Sequence, residues 1–296
     1  MKKHILSLFL IFSATVLFAQ KTDYRLQQKM EELVKGFRGD IGVYIKNLHT
    51  GKAAMINADT IFPTASMVKV PIMIGIQDKL EKGGLEYHQL LEYKDSLLYA
   101  GEDILGSFKS GEKIGLHKVI MLMLTTSDNT ASLWLQSLAG TGTRINEILD
   151  SLGLVNTRVN SRTPGREENR NVYGWAQTTP REMGLLMEKI YRGEVISKKA
   201  SEKMIRLLGR NYNDEQAIAA IPPYVFVASK NGCVNASRNE ILLVMAPHGP
   251  YIFSVTTKNI QDQSWDNANE AWTLTRRLSA LCWNYFEPRS RWKPSL

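Results

Sequence analysis

Between residues 24 and 37 the apolar positions Leu26, Met30, Leu33 and Val34 recur at helical spacing, so the segment reads as an amphipathic helix. Residues 41–45 read as a strand, and 47–52, with Gly51, as a hairpin turn. From about 66 to 208 the pattern is mostly helical. The apolar run 119–124 stops before Ser127, and 132–138 resumes it. Thr179, Pro180 and Glu182 fall at N-cap, N1 and N3 of a helix that runs to about Arg192, where Gly193 breaks it. Strand-rich stretches return at 224–229, 240–245 and 251–257, and 267–286 reads as a long amphipathic helix. Strands at both ends around a helical middle predict an α/β (α+β) fold. Residues 20–62 and 209–296 would build a sheet domain, and 63–208 an inserted helical domain. A site would fall in the cleft between them.

The first residues have a different pattern. Lys2 and Lys3 precede an apolar stretch over 5–18, and Ala19 follows, the order of a secretory signal. The same stretch would also serve as a buried N-terminal helix. No later apolar run reaches the roughly 18–20 residues needed to span a bilayer. The expectation is an exported chain beginning near Gln20, periplasmic or secreted.

Composition narrows the class further. With 44% hydrophobic and 22% charged residues the chain is an ordinary globular one. Its formal charge is +8, two units of which belong to Lys2 and Lys3. The basic residues are scattered and no aromatic–basic motif accompanies them, which argues against nucleic acid and leaves a solvated surface or attraction to anionic substrates. The histidines are dispersed without ligand spacing, and no nucleotide-binding glycine loop occurs, so no metal or cofactor is expected. Export would permit Cys233 and Cys282 to pair, but two cysteines do not make a disulfide scaffold.

Three short segments carry chemistry. Ser66-Met67-Val68-Lys69 puts a hydroxyl and an amine on one helix face, where a lysine of lowered pKa acts as base toward the hydroxyl. The spacing alone specifies little: Ser110-Gly111-Glu112-Lys113 repeats it in a turn that reads as solvated. Ser127-Asp128-Asn129 sits on a corner between helices, where a hydroxyl and an amide can relay a proton and hold a substrate amide, or simply cap the next helix. Lys230-Asn231-Gly232 ends the predicted strand 225–229. A lysine there attracts a carboxylate, a glycine permits close backbone approach, and the N–H groups of Cys233 and Ser66 would form an oxyanion hole. Taken alone, it reads rather as a plain strand-to-turn lysine.

In this order and at these separations the segments match the Ser-x-x-Lys, Ser-Asp-Asn and Lys-Thr-Gly set. From about Arg25 to Phe286 the chain resembles class A β-lactamases and the wider superfamily of penicillin-binding serine acyl-enzymes. Phe62-Pro63-Thr64-Ala65, Thr178-Thr179-Pro180 and Ile221-Pro222-Pro223-Tyr224 extend the likeness. The resemblance implies a β-lactamase-like fold: an antiparallel sheet flanked by helices, built from both termini, with an inserted all-helical domain. It also implies roles. Ser66 is the nucleophile and Lys69 the acylation base or part of its relay. Ser127 passes a proton to the leaving nitrogen, and Asn129 binds the substrate amide. Lys230 binds the carboxylate and tunes Ser127. Tyr99 lines the cleft wall, and Arg238 assists the carboxylate once a one-residue gap is allowed.

Two departures stand out. The family's Glu-x-x-Leu-Asn motif, whose glutamate activates the deacylating water, has no full copy. Thr163 occupies the ungapped position and has no basic carboxylate. Glu167 and Glu168 lie nearby, and Glu167 with Asn171 four residues on fits better, although the same segment reads as a solvated charged loop. Asn231 replaces the usual hydroxyl and cannot relay a proton. The readings are therefore a β-lactam hydrolase, a related acyl-enzyme acting on a D-alanyl peptide or an ester, and a non-catalytic penicillin-binding or sensing module. For all three the expectation is a monomer meeting a small-molecule β-lactam or a peptidoglycan-like substrate.

Overall fold

The computed structural model describes residues 21–101 and 103–294, so the proposed signal segment lies outside the described residues. The chain opens with helix α1 (Tyr24–Val34), capped by Asp23, whose carboxylate accepts the Leu26 N–H at 3.2 Å. Strands β1 (Asp40–Asn47) and β2 (Ala53–Ile56) form the predicted hairpin. They join β8 (Val227–Val234), β9 (Ser237–Val244) and β10 (Tyr251–Lys258) in an antiparallel sheet ordered β2-β1-β10-β9-β8.

Alternation along these strands fills two cores. Ile241, Leu243 and Ile252 face one side, Leu242, Val244, Tyr251 and Phe253 the other. The second side is covered by α1 and by α9 (Glu270–Phe286), which buries Leu274, Leu278, Cys282 and Trp283 along one stripe. Each such side chain contributes about 2 kcal/mol of transfer free energy.

On the first side stands α2 (Lys69–Glu81), buried from Lys69 to Asp78. A helix so enclosed belongs at the centre of a core. Around it pack α3 (Leu116–Thr125), α4 (Asn129–Leu138), α5 (Thr141–Ser151) and α8 (Lys198–Leu208). Helix α7 (Pro180–Arg192) starts as expected, with Thr179 Oγ1 accepting the Glu182 N–H at 3.1 Å, and ends on Gly193 at φ 78°. It lies inside the segment expected to be a helical domain, yet it packs on β1, β9 and β10. Its Gly184 sits where an added Cβ would come within 2.5 Å of the Tyr44 ring.

The middle is not purely helical. Short strands β3 (Phe62–Pro63), β6 (Arg158–Val159) and β7 (Ala176–Thr178) form one small sheet, and β4 (Leu90–Glu92) pairs with β5 (Lys113–Gly115). Strands of two or three residues carry too little periodicity to be read from sequence. Cys233 and Cys282 are both free thiols.

Candidate active site

The sheet edge and the helical layer meet at the turn that carries Ser66. Strand β3 delivers the chain to it, and Thr64 N–H donates to Ala176 O at 3.0 Å. Ala65 follows at φ 46°, a left-handed conformation that costs a non-glycine residue about 1–2 kcal/mol. Residues 65–68 form one 3₁₀ turn, which runs directly into α2. Ser66 therefore lies on the first turn and Lys69 one turn further in, as the spacing predicts.

Strand β8 closes the other side. An added Cβ at Gly232 would come within 2.5 Å of Thr64 O and 2.6 Å of Ser66 N, so only glycine lets the strand approach the nucleophile. The third segment does not end the strand. Lys230, Asn231 and Gly232 lie within β8, opposite Ile241, Glu240 and Asn239, and residues 224–226 form the lead-in turn instead. The Pro222–Pro223 pair displaces the strand start, because two prolines hold the chain in a turn before pairing begins.

Lys69 is the hub. Its side chain is fully buried, and Nζ stands 3.1 Å from Ser66 Oγ, 2.9 Å from Ser127 Oγ and 2.8 Å from Asn129 Oδ1, with the Ser127 carbonyl also in contact. An ammonium has three protons and no lone pair, whereas four oxygens surround this nitrogen. Burial holds the Lys69 pKa well below the usual lysine range, and the nearby charge of Lys230 adds to the effect, opposed by Asp103 and Asp128. A neutral amine accepts one hydroxyl proton and donates its two N–H groups to two of the other oxygens.

Ser127, at φ 62°, turns the corner between α3 and α4. Asp128 caps α4, accepting Ala131 N–H at 2.7 Å and Leu105 N–H at 2.9 Å. The same segment thus both caps α4 and presents the Ser127 hydroxyl and the Asn129 amide to Lys69. Asp103, which the sequence did not mark, accepts Thr130 N–H at 2.8 Å, while Thr130 Oγ1 accepts the Tyr99 N–H at 3.0 Å. The Tyr99 ring is 40% exposed and edge-on to Trp175, and it is not among the residues lining the cavity at Ser66.

Lys230 is fully buried and donates to Asn231 O at 2.9 Å and Asn231 Oδ1 at 3.1 Å. Burial lowers its pKa to about 8, against the pull of Cys233 and Glu240. Asn231, Gly232 and Cys233 line a cavity of about 1020 Å³ together with Ser66, Ser127 and Asn129.

Arg238 is not placed for a substrate carboxylate. Its guanidinium donates to the carbonyls of Val234, Asn235, Ser237 and Ser264, and it lies 4.3 Å from the Trp265 ring centroid and 4.8 Å from that of Trp272. Alternation along β9 turns it away from the nucleophile, while its neighbour Asn239 donates to Pro63 O at 3.1 Å. Glu167 and Glu168 open α6 (Glu167–Tyr173) as exposed residues outside the cavity lining, and Glu167 Oε1 accepts the Gly165 N–H at 3.2 Å. Thr163 is buried, its hydroxyl bound to Ser161 O at 3.0 Å. The sequence also missed Trp265, Trp272 and residues 210–216, which line the same cavity from distant parts of the chain.

A serine on a helix-opening turn, an amine of lowered pKa against it and a second hydroxyl on that amine define a serine hydrolase that works through an acyl-enzyme. The chain belongs to the beta-lactamase enzyme family, whose description matches residues 25–286. Within that family it is a serine hydrolase of the type that acts on the amide bond of β-lactams. It is 23% identical to β-lactamase VEB-1 of Pseudomonas aeruginosa, over 96% of this chain and 98% of that protein. A mutant of PBP-A, solved as an acyl-enzyme complex with penicillin G, is 25% identical at a TM-score of 0.80, covering 91% of this chain and 98% of that one. An ancestral class A β-lactamase matches at a TM-score of 0.76 and 21% identity, over 88% and 99% of the two chains. Among the described residues, no helix is long and apolar enough to cross a membrane.

Proposed function

We propose that Ser66 is acylated by β-lactams with Lys69 as base, and that the resulting ester is released slowly. The observation that carries this reading is the Lys69 amine, within hydrogen-bond reach of both Ser66 Oγ and Ser127 Oγ. Neutral Lys69 takes the Ser66 proton as Oγ bonds to the carbonyl carbon. The backbone N–H groups of Ser66 and Cys233 receive the oxyanion. Ser127 gives its proton to the leaving nitrogen as the C–N bond breaks, and the Lys69 ammonium restores it. Asn129 lines the substrate amide, and Lys230 supplies positive charge behind the carboxylate.

Slow release follows from the position of the carboxylates. Those on the cavity lining are Asp214 and Glu215, on the wall built by residues 210–216, and Glu167 and Glu168 are outside it. Among the described residues, water attack on the ester therefore has no glutamate base of the family's kind. The protein acts as an exported monomer, its first 19 residues serving as the signal.

An intact-mass time course of the mature chain with benzylpenicillin tests this. The expected result is a rapid adduct that outlasts its own formation many times over, and none on Ser66→Ala. Lys69→Ala should slow adduct formation by about 10²–10⁴-fold. Labelling of Ser66→Ala removes the nucleophile assignment, and an adduct that decays as fast as it forms removes the slow-release reading.

A further inference from the structure

On the second side of the main sheet, α1 and α9 pack against each other, and the groove between them takes no part in the acylation chemistry. Two adjoining cavities of about 390 and 450 Å³ make up this groove, sharing Lys29, Leu281 and Asn284. One stripe of each helix faces it. Arg25, Lys29 and Leu33 recur every fourth residue on α1, and Arg277, Leu281 and Asn284 follow the same helical spacing on α9. The apolar part of the lining is Leu33, Leu281 and Tyr285, all three half-buried against the core beneath. The basic part is Arg25, Lys29 and Arg277, all exposed.

The positive charge of this groove is uncompensated. Among the described residues, Arg25, Lys29 and Arg277 form no ion pair with a carboxylate. The one carboxylate on the lining, Glu32, is bound to Lys35 at 2.5 Å. Asp23, at the start of α1, is engaged twice: it caps the helix and accepts the Tyr285 hydroxyl at 2.7 Å. Pro288 borders the groove, and the chain beyond it carries Arg289, Arg291 and Lys293, all exposed. Cations gathered along one furrow repel each other until anions come between them.

We propose that this groove is the face by which the protein docks on the surface of an anionic phospholipid bilayer. Headgroup phosphates meet Arg25, Lys29 and Arg277, and the upper acyl carbons lie against Leu33, Leu281 and Tyr285. Tyr24, next to Arg25 and 76% exposed, is an amphipathic ring of the kind that settles at headgroup depth. A bilayer fits better than a small soluble anion. The cations are strung along two helices rather than converging on one point, and an apolar strip runs between them. Docking here leaves the catalytic cavity open. Trp272, on the cavity wall, and Asn284, in the groove, both lie on α9, about 18 Å apart along its axis. The docking is independent of the chemistry at Ser66.

The test is co-sedimentation of the mature chain with vesicles of equal parts phosphatidylglycerol and phosphatidylcholine. Binding is expected to these vesicles and not to phosphatidylcholine alone, and it should weaken as salt is raised. Lys29→Gln and Arg277→Gln should each lower the partition constant about fivefold, and the two together at least tenfold. Both side chains are exposed, so neither change disturbs the fold. Lys198→Gln with Lys199→Gln removes the same charge from the exposed face of α8 and should leave binding within about twofold. No binding to the mixed vesicles overturns the proposal, as does equal binding to both kinds. A loss in the α8 variant equal to that in the groove variant overturns it too, because net charge alone would then account for the attraction. Release by glycerol phosphate at the same phosphate concentration would assign the groove to a free phosphate instead of a bilayer, and overturns it as well.

Discussion

At the scale of single residues the site is governed by two buried lysines. Lys69 must be neutral to accept the Ser66 proton, and burial beside Lys230 pushes it that way. Lys230 must be charged to draw a carboxylate, and burial sets its pKa at about 8. Opposite demands on neighbouring amines give a bell-shaped acylation profile for an anionic β-lactam. Deprotonation of Lys69 produces the rising limb. The falling limb lies near pH 8, because Lys230 loses its charge as pH rises through that value. Glu240, whose carboxyl burial raises to about 7, is ionised across most of that limb and helps Lys230 keep its proton. The expected slope above the limb approaches tenfold per pH unit, measured as the second-order acylation constant. An uncharged ester substrate should lack the limb. If Lys230→Ala keeps the same alkaline fall, another group is responsible.

At the scale of elements, the sequence showed the chemistry better than its supports. Ser66, Lys69, Ser127 and Asn129 were legible because three-residue spacing on a helix and a corner between apolar runs are local patterns. Arg238 was misjudged because its role depends on which face of β9 it occupies and on Trp265 and Trp272, neither of which is local. Asp103 and Thr130 carried no local signal, since their bonds join a loop to the first turn of α4, 27 residues apart. Glu167 and Glu168 were close in sequence to the required position but open α6 on its solvent side, where they favour the helix N-terminus. Glu167→Gln and Glu168→Gln are therefore expected to leave both acylation and deacylation within about twofold of the unaltered protein, and to cost at most about 1 kcal/mol of stability through the lost helix-dipole interaction. The adduct time course checks this, and a tenfold slower release in either variant would mean that α6 closes over the ester.

At the scale of the whole molecule, the two layers hold the site against its own local preferences. Strands at both ends of the chain were readable from their β-rich runs, while the two small sheets and the packing of α7 on the main sheet were not. One of those small sheets leads straight into the site: β3 ends just before Ala65, and Thr64 N–H donates to Ala176 O of β7 at 3.0 Å. The cost of Lys230 follows from its pKa. A lysine near 8 when folded and about 10.4 when unfolded binds its proton less tightly in the native state. Below pH 8 this destabilises the fold by about 3 kcal/mol. The unfolded state binds more protons between pH 8 and 10.4, so stability rises with pH across that window as far as this residue is concerned. Lys230→Met keeps most of the volume and removes the charge, at the loss of two hydrogen bonds to Asn231. The net gain at pH 7 is expected to be about 1–2 kcal/mol, raising Tm by a few degrees in a chain of this size. The same variant should lose acylation by anionic β-lactams, because the charge that destabilises the fold is the one that draws the substrate. Thermal unfolding at pH 7 and pH 9.5 decides the matter. The stabilisation should shrink at the higher pH, where the unaltered lysine is already neutral in the native state. A Tm that falls at pH 7 would show that the Asn231 bonds outweigh the burial of the charge.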